Sequence, residues 1–200
     1  MHSLAVHRSP LAVDARRPTA NGQRRTRLFR FAALVVLLVS ACKRQQPLSP
    51  NLNVENKVAM RTVSLYYESP DLLLAPEKRN LPLPENPAGA LDVVMRELLK
   101  GPMNAAVPRL LPADTIVRGA YLLPDGTAFV DLGGPTLTQG WATGSHQELM
   151  ALYSVVQTVT TNFPETKRVR VLVNGEPGET LGGHVSLTRA LTPVPSMVVR

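Results

Sequence analysis

Cysteine is almost absent from this 200-residue chain: Cys42 is the single one. That excludes an internal disulfide framework and a thiolate metal cluster. Aromatic residues make up 4% of the chain, with one tryptophan, Trp141. Histidine is scarce, and no H-E-x-x-H spacing joins His146 and His184, the two beyond residue 42, so no metal ligand set is indicated. No run of apolar residues is long enough to cross a bilayer, which takes roughly 20. Serine nucleophile chemistry also lacks its frame. Ser145 and His146 are neighbours, but no G-x-S-x-G elbow surrounds them, and Ser145 fits a helix cap. Glu176 and Glu179 sit in a Pro-Gly turn, and the pairs Gly133-Gly134 and Gly182-Gly183 belong to no phosphate-cradling motif. No catalytic residue, metal or cofactor is assigned, and the chain is not read as an enzyme.

The formal charge of +7 suggests a polyanionic partner, but its distribution does not. Residues 1–42 hold seven Lys+Arg and one acidic residue, a net +6, whereas residues 43–200 hold fifteen against fourteen, a net +1. The basic character lies in the leading segment, and a nucleic-acid partner loses its main support.

That segment is the most informative part of the sequence. Arg24, Arg25, Arg27 and Arg30 precede the apolar run Phe31–Val39, and the small residues Ser40 and Ala41 come directly before Cys42. This is the order of a signal peptide. The run Val39-Ser40-Ala41-Cys42 resembles the lipobox of bacterial lipoproteins, in which the thiol is acylated and the chain is cut before it. The resemblance implies residues 1–41 as signal peptide with an N-terminal extension, lipid attachment at Cys42, and an exported protein held to a membrane by its first mature residue. In a two-membrane envelope, Lys43 in place of the aspartate typical of inner-membrane retention favours the outer membrane, facing the periplasm. In a one-membrane cell the anchor would lie on the outer face of the cytoplasmic membrane.

Residues 42–57 are polar and proline-bearing and read as a lipidated, flexible tether. Residues 58–191 carry globular patterning, and 192–200 form a C-terminal tail. Val63, Leu65 and Tyr67 alternate with Ser64, Tyr66 and Glu68, the period of a half-buried strand. A second strand is expected over Lys78–Leu81, bounded by Pro76 and Pro82. Asn86-Pro87 opens a helix with apolar residues Leu91, Val94, Met95 and Leu98, and Gly101-Pro102 ends it. Pro124-Asp125-Gly126 joins strands Ile116–Leu123 and Thr127–Leu132. A second helix starts at Ser145, with Glu148 at capping-box spacing, and buries Leu149, Leu152, Tyr153, Val156 and Val159. Strands at Arg168–Val173 and His184–Leu187 follow, separated by the Asn174-Gly175 turn. The pattern predicts an α+β fold, a largely antiparallel sheet with two helices in two tandem helix-β-β units.

Several of these segments resemble successive motifs of the GerMN domain family: Leu65-Tyr66-Tyr67, Leu74–Arg79, Leu98–Pro102, Asp125-Gly126, Val130-Asp131-Leu132, Glu148, Thr158, Phe163-Pro164, Val169–Val173 and Asn174-Gly175. The resemblance spans Val63 to Leu191. It implies two ring-building-type units, each a helix packed on strands, and a role in envelope assemblies through protein contacts, with no catalytic residues to carry over. Arg168 and Arg170, alternating with valines, mark an exposed strand face for such contacts. Trp141, in the long Gly133–Gly144 connection, fits either a plug at the edge of the domain's own core or an aromatic platform for a cell-wall glycan or small ligand.

Overall fold

Asn86 decides where the first helix begins. Its side-chain oxygen accepts the Gly89 N–H at 2.6 Å, and Pro87 fills the first helical position, where a missing N–H costs nothing. The helix α1 (Pro87–Leu99) buries Ala90, Leu91, Val94, Met95 and Leu98 along one stripe. Gly101, at φ +88°, turns the chain away. The computed structural model describes residues 57–139, 141 and 144–200. The signal segment, the lipobox residues Val39, Ser40, Ala41 and Cys42, and the tether through residue 56 lie outside the described residues.

Two sheets flank the helices. Strands β1 (Val58–Glu68) and β2 (Leu74–Pro84) form an antiparallel pair with Leu65 opposite Glu77. Strands β3 (Ile116–Leu122), β4 (Thr127–Gly133) and β5 (Arg168–Val173) form the other sheet in the order β3-β4-β5. β3 and β4 are antiparallel, with a bulge at Arg118, while β4 and β5 are parallel. A single helical turn, Pro135–Thr138, leads to the long helix α2 (Ser145–Asn162). α1 packs on β1, β2 and β3, and α2 on β1 and β5, so the helices join the two sheets. The α+β expectation holds, with the strands divided between an antiparallel and a mixed sheet.

Four local expectations are corrected. β2 runs through Pro76, Pro82 and Pro84 instead of stopping at them. α2 is capped by Gly144, with no side-chain cap bond from Ser145, and Glu148 turns inward. Helix α2 buries Met150, Ala151, Ser154, Val155 and Thr158 besides Leu152, Val156 and Val159, while Leu149 and Tyr153 are only partly covered. The segment His184–Leu187 forms a loop, and the second helix-β-β unit keeps one strand plus the antiparallel bridge Val169–Leu191.

Candidate functional site

Several polar residues that carried the family resemblance turn out to be internal clasps. Arg79, its side chain 9% exposed, binds the carboxylates of Glu77 and Glu97 and donates to the Gly101 carbonyl at 2.7 Å, the end of α1. It thereby joins the Leu74–Arg79 and Leu98–Pro102 segments. Its guanidinium lies 5.8 Å from the centre of the Tyr67 ring, whose hydroxyl donates to the Leu98 carbonyl, and burial pushes that phenol up to about 12. Burial alone would raise the Glu97 carboxyl, but hydrogen bonds from Lys100 and Arg79 hold it below its ordinary value. Asp131 accepts the Gly175 N–H at 2.8 Å and fixes the turn after β5. That turn has φ of +54° at Asn174 and +86° at Gly175, the two left-handed positions of a type I′ turn.

Glu148 is the most deeply committed of these groups. Fully buried, it accepts backbone N–H bonds from Leu181 and Gly182 on one oxygen and from His184 and Val185 on the other, at 2.7–3.1 Å. The His184 ring adds a contact at 3.2 Å. Burial pushes the carboxyl up, and the four backbone donors outweigh it, so it stays ionised below the usual carboxylate range. His146 sits apart, 2.7 Å from Glu68. Among the described residues no group of His, Cys, Asp and Glu is arranged to hold a metal ion, and no helix is long and apolar enough to cross a membrane.

The residues singled out for binding do not converge. Arg168 and Arg170 lie on the outer face of β5, as their alternation with valines implies, but both have intramolecular partners. Arg168 pairs with Asp125 at 2.8 Å, and Arg170 donates to the Thr188 carbonyl at 2.6 Å. Trp141 is half-buried and packs against the core, its indole N–H buried with no hydrogen-bond partner among the described residues.

What sequence reasoning missed is the contrast between strand edges. Along β1, helix α2 supplies the partners that a neighbouring strand would. Asn162 exchanges two bonds with the Ser64 backbone, at 2.9 and 2.7 Å. Thr158 accepts the Tyr66 N–H at 3.1 Å, and Ser154 donates to the Tyr66 carbonyl at 2.6 Å. The signal was present, since Ser154, Thr158 and Asn162 recur at i, i+4 and i+8 on an otherwise apolar helix face. Because Ser64 and Tyr66 face α2, their neighbours Val63, Leu65 and Tyr67 face β2, opposite Arg79, Glu77 and Ala75. The even-numbered residues of β2 therefore look outward. Leu74 there is bonded by the Val199 N–H at 3.0 Å. Pro76, Pro82 and Pro84 have no N–H to offer, and Lys78 is charged.

β3 carries no such side-chain bonds over its second half, although α1 packs on this strand and Ala120 is only 7% exposed. Leu123 donates to the Thr127 carbonyl at 2.9 Å, so Leu123, Tyr121 and Gly119 direct their backbone groups to β4. Ala120 and Leu122 point away. Val117, which faces outward across the bulge, has its carbonyl bonded by Arg96 at 3.3 Å. No described residue bonds the outward groups of Ala120 and Leu122. Large exposed apolar side chains flank them: Tyr121 is 57% exposed and Leu123 45%. Next to Leu122 opens a cleft of about 500 Å³ between β3, the start of α1 and the end of α2, lined by Pro87, Ala88, Leu122, Phe163 and Pro164. Arg61, Glu85 and Glu165 stand on its rim without ion pairs among the described residues.

Comparison with known proteins agrees with this architecture. The family described as "Germane: Sporulation and spore germination" matches residues 64–179. The tandem GerMN domains of the sporulation protein GerM from Bacillus subtilis align with a TM-score of 0.50 at 21% identity, covering 76% of this chain and 51% of that one. The chain thus spans about half of the tandem protein, and the likeness is one of fold. The first GerMN domain of the same protein aligns with a TM-score of 0.41 at 21% identity, covering 71% of this chain and 98% of that one. No curated protein matches.

Proposed function

The chain belongs to the Germane family, and from that membership we propose that it is a lipid-anchored envelope protein whose GerMN-type domain works by protein contact, through the outer edge and face of β3. The anchor is Cys42, behind Val39-Ser40-Ala41. With Lys43 following it, the anchor lies in the outer membrane with the domain in the periplasm, or on the outer face of the cytoplasmic membrane in a one-membrane cell. Contact rather than catalysis is the reading because the buried charged groups, Arg79 and Glu148, are engaged in holding the fold.

The observation that carries the proposal is the unpaired edge at Ala120 and Leu122 between exposed Tyr121 and Leu123. An open strand edge with apolar neighbours recruits an extended segment through backbone hydrogen bonds. Two experiments test the two halves. The Cys42→Ser variant should lose labelled palmitate, and undiminished labelling sinks the anchor. A photo-crosslinking side chain at Tyr121 should join an envelope protein in cells, whereas one at exposed Met103, in the loop after α1 and outside both sheets, should not. Equal adducts from both positions, or none from Tyr121, would remove the edge from the account.

A further inference from the structure

We propose that the cleft beside β3 receives an apolar side chain from an extended peptide segment paired on the β3 edge, and that Glu85 and Glu165 hold basic residues flanking that side chain. The inference rests on the contact reading above and gives the partner its chemistry. Its foundation is that Leu122 belongs to both features: its backbone groups point outward along the open edge, and the residue lines the cleft. Leu122 shares the helix-side face of the sheet with Ala128 and Val169, both fully buried. Cross-strand neighbours point to the same face. A residue paired opposite Leu122 therefore projects toward α1, where Pro87 and Ala88 border the open space. That space, about 500 Å³, falls within the roughly 300–1,000 Å³ range of ligand-sized pockets.

The rim selects the charge. Two carboxylates, Glu85 and Glu165, oppose one guanidinium, Arg61, and none of the three has an ion pair among the described residues. In a strand, residues two positions either side of the inserted side chain lie on its face. Basic groups at those positions come to the acidic rim, while acidic ones meet like charge.

The test uses the full chain in nanodiscs of phosphatidylcholine, a zwitterionic lipid, with empty nanodiscs as control. The probes are three fluorescent peptides: Lys-Val-Leu-Val-Lys, its counterpart with glutamates for lysines, and the lysine peptide methylated on alternate backbone nitrogens. The lysine peptide should bind, and each of the other two should bind about tenfold or more weakly. Ala88→Trp fills the cleft mouth from an exposed helix position, so the fold should be kept, as an unchanged melting curve would verify. It should weaken the lysine peptide about tenfold or more. Glu85→Gln with Glu165→Gln should shrink the preference for lysine over glutamate. No binding of the lysine peptide, equal binding to Ala88→Trp, or indifference to methylation each overturns the inference. Crosslinking through Tyr121 without such peptide binding would leave the contact reading standing, and failure of both would end both.

Discussion

The two sheets of this domain treat their edges differently. The β1-β2 pair is bonded along the second half of β1, where the side chains of Ser154, Thr158 and Asn162 hold Ser64 and Tyr66, and blunted along β2 by prolines, Lys78 and the Val199 bond, while the outward groups of exposed Val58, Met60 and Thr62 have no partner among the described residues. The β3-β4-β5 sheet is bridged on its far side at Val169–Leu191, and the outward groups of buried Ala120 and of Leu122 have no partner among the described residues. Unpaired edges invite association, and proteins ordinarily blunt them. A chain that places three prolines on one edge and exposed Tyr121 and Leu123 along another has edges of two kinds. On the contact reading proposed above, that difference assigns the partner to β3.

The comparison can be broken most severely along the bonded half of β1. Replacing Thr158 with Val and Asn162 with Leu leaves the Ser64 N–H and carbonyl and the Tyr66 N–H unpaired, while Ser154 still bonds the Tyr66 carbonyl. Each buried group left so costs about 1–3 kcal/mol. The double variant should lose several kcal/mol in a denaturant titration and should gain concentration-dependent association through the uncovered β1. A variant that stays monomeric and equally stable would show that helix α2 does not act as a substitute strand.

Glu148 gives the next largest effect. Glu148→Ala removes the acceptor of four backbone donors, and the loss should be about 3 kcal/mol. Faster hydrogen exchange should be confined first to Leu181, Gly182, His184 and Val185. The same carboxylate sets a pH dependence. Its folded pKa is depressed, so its contribution is full above the unfolded value and fades as pH falls through the folded one. Wild-type stability should therefore decline on acidification more steeply than that of Glu148→Ala, and parallel pH profiles would contradict the clasp.

These groups show what was legible in the sequence. Periodicity found β1, α1 and β5 because each buries one face, and turn chemistry found the β3-β4 hairpin through Pro124-Asp125-Gly126. Asn174-Gly175 marked its turn because both positions need positive φ. β2 was cut short because Pro76 and Pro82 read as boundaries, whereas on an outward edge a proline sacrifices no ladder bond. Glu148 was read as a capping-box residue because its spacing from Ser145 fits; spacing does not say that a loop 33 or more residues away supplies better donors. Nor does the period of a strand name its partner, so the parallel pairing of β5 with β4 and the division into two sheets stayed hidden. The open edge at Ala120 and Leu122 follows from pairing alone and has no signature in residue type.

Arg79 sharpens the contrast from inside the fold. Arg79→Lys keeps the charge but cannot reach Glu77, Glu97 and the Gly101 carbonyl together. A loss of about 1–2 kcal/mol should appear in the melting temperature, with contact at β3 unaffected. Loss of the Tyr121 crosslink in a folded Arg79→Lys variant would tie this clasp to function and blur the division drawn above.

The smallest expected change in stability comes from the variant that bears most on the account. Leu122→Pro would give β3 the device that β2 already has, removing an outward N–H while sparing the bonds to β4. Stability should move by roughly 1 kcal/mol or less. The decisive measurement is in-cell photo-crosslinking from position 121 in the wild-type and Leu122→Pro backgrounds, alongside melting curves of both. The account predicts two folded proteins and an adduct that disappears with the proline. An undiminished adduct from folded Leu122→Pro would contradict it.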